Sequence, residues 1–214
     1  RVIREYGAEY WIVGVTVTTI FETAWALRGY ERLLMDLVVN PELADRVLEI
    51  PFRYHLAAAE KLAAMGVDMI WTGDDIGSQK GMLFHPDTWR RFLKPRMAEL
   101  VSRVKAINPD LKVAYHTDGD VRDVIPELIE IGIDVLNPVQ IAAADMDPSE
   151  LKADFGGDLN RVRTLPENPM RRLAREGKPL DERRVAVHRP PAARGFCVLR
   201  QPAAGAGPYT GIRS

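Results

Sequence analysis

Two matching joints constrain this chain more than any other feature. Ala64-Met65-Gly66-Val67-Asp68-Met69-Ile70 and Glu130-Ile131-Gly132-Ile133-Asp134-Val135-Leu136 follow one recipe. A helix stops at glycine, a β-branched residue and an aspartate follow, and a strand begins. Helix feeding strand twice in this way predicts α/β alternation, and so a parallel sheet joined by helical crossovers. The remaining strands and helices fit that rhythm. Tyr10 to Val17 is dense in β-branched and aromatic residues and reads as a buried strand. Val67 to Trp71, Lys112 to Tyr115 and Asp134 to Leu136 read as three more. Ala24 to Val39 carries helical spacing interrupted at Gly29, and Asn40-Pro41 opens a long helix ending near Met65. Pro51 is expected to kink or divide that helix, and Pro95 to kink the helix that starts at Pro86. Asp120 can cap a short helical segment that breaks at Pro126 and runs to Ile131. Periodicity leaves a closed barrel and an open doubly wound sheet equally open. No GxGxxG or GxxxxGK[ST] follows a strand, which weakens nucleotide binding.

The chemistry gathers just past the strands. Val67 to Trp71 runs into Thr72-Gly73-Asp74-Asp75, the third strand into His116-Thr117-Asp118-Gly119-Asp120, and the fourth into Asn137-Pro138-Val139-Gln140. In parallel α/β folds, ligands bind at that carboxyl end. Paired carboxylates there repel, so one can hold a proton near neutral pH. Such a carboxyl can protonate a carbanion, and the carboxylates can grip ligand N–H groups. Asp75 is the functional candidate of its pair, while Asp74 can equally cap the next turn. His116 and Asp118 alternate onto one face of an extended strand and offer a base beside a carboxylate. His85 belongs to a helix start before Pro86, His55 to the face of the long helix, and Trp25, Trp71 and Trp89 to core or pocket wall.

Composition excludes several classes. A net charge of -1 gives no reason to expect nucleic acid or an acidic membrane surface. The single cysteine, Cys197, cannot form an intrachain disulfide, which suits a reducing cytosol. No apolar run reaches transmembrane length, and the start lacks the apolar core of a signal peptide. The chain does not begin with Met and reads as a piece of a longer protein. A closed (β/α)8 barrel needs about 250 residues, so four strands amount to roughly half of one. From Asn160 the rhythm stops and Arg, Pro, Ala and Gly dominate. The domain reading is therefore a barrel part over 1–159 and an irregular tail over 160–214. These four residue types have GC-rich codons, so the tail is read as out of frame.

The run Gly66-Val67-Asp68-Met69-Ile70, the acidic strand end Asp74-Asp75, the Pro86 to Pro95 helix, Asn40-Pro41-Glu42, the His-x-x-Gly of His116 to Gly119 and the joint at Gly132-Ile133-Asp134 resemble uroporphyrinogen decarboxylases and their relatives. The resemblance covers Trp11 to Gly157 and implies an α/β fold, a (β/α)8 barrel that is incomplete here. It implies an enzyme that decarboxylates a polycarboxylate such as a tetrapyrrole in porphyrin biosynthesis, without metal or organic cofactor. The catalytic residues implied are Asp75, His116 and Asp118. Substrate contacts fall to Tyr30, matched to the family's pocket tyrosine, with Asp74, Asn137 and Gln140. The alternatives are a methyltransferase of the same family working with a corrinoid protein, and a non-catalytic tetrapyrrole or corrinoid binder. The methyltransferase branch binds zinc through His-x-Cys and a later Cys, whereas this chain reads His116-Thr117-Asp118. With two ligands in view, no metal site is expected. The partners expected are a small-molecule substrate, a corrinoid protein on the methyltransferase reading and a second copy of the chain, in the cytoplasm, with neither nucleic acid nor membrane.

Overall fold

The computed structural model describes residues 1–8 and 10–155. The expected irregular tail, 160–214, and Cys197 lie outside the described residues. In chain order the elements are α1 (Val2–Tyr6), β1 (Val13–Val17), α2 (Phe21–Arg28), α3 (Tyr30–Val39), α4 (Pro41–Ala64) and β2 (Met69–Gly73). A small antiparallel hairpin follows, β3 (Gly77–Ser78) and β4 (Gly81–Met82). Then come α5 (Pro86–Phe92), α6 (Lys94–Ile107), β5 (Lys112–His116), a 3-10 turn over Arg122–Val124, α7 (Ile125–Glu130), β6 (Val135–Asn137) and α8 (Pro148–Phe155).

The main sheet is parallel, in the order β1-β2-β5-β6. A doubly wound sheet reverses its strand order at a switch point. Here each new strand lies beside the last, which is the winding of a (β/α)8 barrel, present over four strands. Among the described residues no helix is long and apolar enough to cross a membrane.

The joint aspartates explain why the recipe recurs. Asp68 accepts the Ile12 amide at 2.8 Å, and Asp134 accepts the Val113 amide at 3.0 Å. Each thus ties the start of its own strand to the strand before it. Lys105 and Lys112 complete Asp134, at 2.7 and 3.3 Å, so its buried charge is paired. Both lie at the amino ends of the strands, where such residues hold a barrel together rather than act on ligands.

Pro51 does not divide α4, which runs unbroken from Pro41 to Ala64. The proline removes one backbone donor. The helix nevertheless carries one buried face across it, from Ala44 and Leu48 through Phe52 and Leu56 to Ala59 and Ala63. Pro95 does mark a division: α5 ends at Phe92, and α6 opens with Pro95 in its first turn. Pro126 likewise sits in the first turn of α7.

Strand alternation gives the sheet two different faces. Ile70, Val113, Tyr115 and Leu136 point into the large core shared with the helices, where Trp89, Phe92 and Leu100 are buried. The other face carries Val13, Met69, Trp71, Ala114 and Val135 as a smaller apolar cluster. Register places His116 and Asn137 on that second face, at its carboxyl-end margin. In a barrel this face is the interior, so the margin is the mouth.

Candidate active site

Gly73, at φ +126, closes β2 in a backbone conformation that side chains rarely adopt. A Cβ there would land on the His116 backbone, so the two strand ends touch main chain to main chain. The adjacent aspartates then turn to opposite sides. Asp74 goes down among the helices, 1 % exposed. Its carboxylate accepts the amides of Ile20 and Glu22, each at 3.0 Å, and so caps the start of α2 from another strand. Burial pushes its carboxyl up to about 6, against the pull of those amide donors.

Asp75 turns up to the rim. Its Oδ1 accepts the Asp118 amide at 2.8 Å and stands 3.7 Å from His116 Nε2. His116 is 8 % exposed, tilted against Trp71, with Nδ1 3.3 Å from Asn137 Oδ1. Gln140 Oε1 accepts the Gly119 amide at 2.6 Å, and the Thr117 hydroxyl accepts that of Ile76 at 3.1 Å. Asp75, His116, Asp118, Asn137 and Gln140 are thus brought together. Two sequence candidates stand apart. Asp74 spends its carboxylate on α2, and Tyr30 packs edge-on against Trp25 at 5.2 Å, at the start of α3.

The structure adds Glu22, in the first turn of α2. Its Oε2 accepts the Asp75 amide at 3.3 Å. Burial, then the charges of Asp74, Asp75 and Asp118, push its carboxyl up to about 7. Asp118 is also raised, by burial first and Asp75 second, with His116 pulling it back. Applying the strand-end rule to the first strand would have found Glu22, five residues beyond Val17.

Asp75, His116 and Asp118 each offer a ligand atom, all within 4.8 Å of one another. The sequence reading counted two donors here; folding supplies Asp75 as a third. The set is one imidazole nitrogen and two carboxylate oxygens, and no cysteine occurs among the described residues. It does not fit the thiolate-bearing zinc site of the methyltransferase branch.

Comparison with known proteins places this geometry. No curated protein matches the sequence. A solved structure of a methyltransferase from Methanosarcina mazei is similar at a TM-score of 0.60 and 19% identity, over 75% of this chain and 44% of that one. This chain therefore spans less than half the length of that structure, and the likeness is one of fold, an incomplete (β/α)8 barrel. The family model for uroporphyrinogen decarboxylase (URO-D) matches residues 1–155, taking in all four parallel strands and the polar rim beyond them. The chain belongs to the uroporphyrinogen decarboxylase family.

Proposed function

We propose that Asp75, His116 and Asp118 form the catalytic rim of a cytoplasmic lyase that decarboxylates a polycarboxylate such as a tetrapyrrole. The observation that carries this reading is their convergence at the mouth of the barrel. His116 Nε2 lies 3.7 Å from Asp75 Oδ1, and Asp118 is bound through its amide to the same oxygen. In such a reaction the bond to the departing carboxylate breaks and CO2 leaves. Its electron pair stays on the substrate carbon, delocalised into the adjoining ring, and a rim carboxyl returns a proton to that carbon. Asn137 and Gln140 hold the rim in place, and Tyr30 stands further out as a wall residue. The test is CO2 release from uroporphyrinogen and simpler polycarboxylates by the protein from the complete reading frame. Asp75→Asn and Asp118→Asn are expected to lower kcat by roughly 10²–10⁴. Unchanged turnover in both variants would remove the rim from the chemistry.

A second reading, methyl transfer with a corrinoid protein, draws support from the methyltransferase similar in fold. It predicts methylation of a reduced corrinoid, seen in its absorption spectrum, with no CO2 released.

A further inference from the structure

We propose that Asp75, His116 and Asp118 together bind one divalent cation, through the His116 Nε2 nitrogen and one carboxylate oxygen from each aspartate. The starting observation is the state of His116. The side chain is nine-tenths buried, yet Nε2 makes no hydrogen bond: its nearest carboxylate oxygen is 3.7 Å away. That separation is too long for a hydrogen bond. It is close to the spacing of two atoms bound to a common ion, since bonds of about 2.1 Å leave neighbouring ligands roughly 3.4 Å apart.

The other ring nitrogen fixes the orientation. Nδ1 faces Asn137 Oδ1 at 3.3 Å, and an amide oxygen only accepts. Nδ1 therefore carries the proton, and in the neutral ring the Nε2 lone pair points at the carboxylates. Metal-binding histidines are held in this way by an acceptor on the far nitrogen.

Charge points in the same direction. Among the described residues, no Lys or Arg side chain lies within ion-pair distance of Glu22, Asp75 or Asp118. Three carboxylates gathered on a half-buried rim repel one another, and a dication at the triad offsets that repulsion. Nitrogen and oxygen donors without sulfur suit manganese or zinc as a Lewis acid rather than a thiol-activating centre. The assignment goes beyond the proposed reaction and does not depend on it. It gives an acid-rich rim the positive group that a polycarboxylate ligand requires.

The test is Mn²⁺ binding to the metal-stripped 214-residue chain, followed by electron paramagnetic resonance and calorimetry without substrate, with Zn²⁺ as competitor. One saturable site per chain is expected, displaced by Zn²⁺. Asp75→Asn and Asp118→Asn should each weaken binding at least about tenfold, as should Asn137→Ala through the imidazole. His85→Ala, which alters the exposed His85–Asp87 pair, is expected to leave it unchanged. Circular dichroism checks that each variant is folded. Absence of a saturable site in the folded chain, or equal affinity in both aspartate variants, overturns the cation site. Because binding is read without turnover, that result stays separate from failure of the decarboxylase reading.

Discussion

Glu22 and Asp74 both hold protons more tightly in the folded chain than free carboxyls do, and this sets the direction of a pH response. Glu22 moves from 4.5 to about 7, chiefly through burial. A group raised in this way contributes stability below its unfolded value and loses it as pH rises through 7. With chelator present, the protein should therefore melt at a lower temperature at pH 8 than at pH 5. Glu22→Gln should flatten that difference by about 1 kcal/mol, a figure reduced for solvent screening of a half-exposed side chain. A pH series of thermal melts reads it, and parallel curves for wild type and variant would count against the coupling. The same scale shows where sequence reading stops. Asp74 and Asp75 are neighbours of one type, and only the backbone turn at Gly73 sends one under α2 and the other to the rim.

At the scale of elements, the cap that Asp74 places on α2 crosses from one βα unit to the previous one. Asp74→Ala would leave the Ile20 and Glu22 amides buried without that acceptor, for a cost of about 2 kcal/mol in denaturant unfolding. A loss under about 0.5 kcal/mol would mean that water replaces the carboxylate. Strand and helix ends were legible in advance because their signals are local: Gly66 and Gly132 stop helices, and Pro41, Pro86 and Pro95 open them. Pro51 misled because burial of one long face outweighs a single missing donor. Glu22 was passed over because its place at the rim depends on how α2 leaves β1, which no residue type announces. The hairpin of β3 and β4 was not foreseen either, since two-residue strands carry no period.

At the scale of the whole molecule, the two sheet faces differ in how well they are covered. The helix side is closed, whereas Val15, on the interior side, remains 51 % exposed beside Trp71. Open apolar sheet faces bind hydrophobic dyes and invite association. The chain should bind such a dye strongly and Val15→Lys should bind less, measured by fluorescence at equal concentration. Dye binding as low as that of a closed globular protein would contradict this. The close approach of Gly119 to Gly77 and Ser78 has a different consequence. Asp120 donates its amide to the Ser78 carbonyl at 2.8 Å, and Asp118 donates its own to Asp75 at 2.8 Å, so the loops after β2 and β5 are stitched along their main chains. Barrel enzymes are commonly treated as collections of exchangeable loops, each free to be replaced by one from a relative. Here the two loops are a single transplantable unit, and a graft that carries either one alone brings its aspartate without the backbone that aims it.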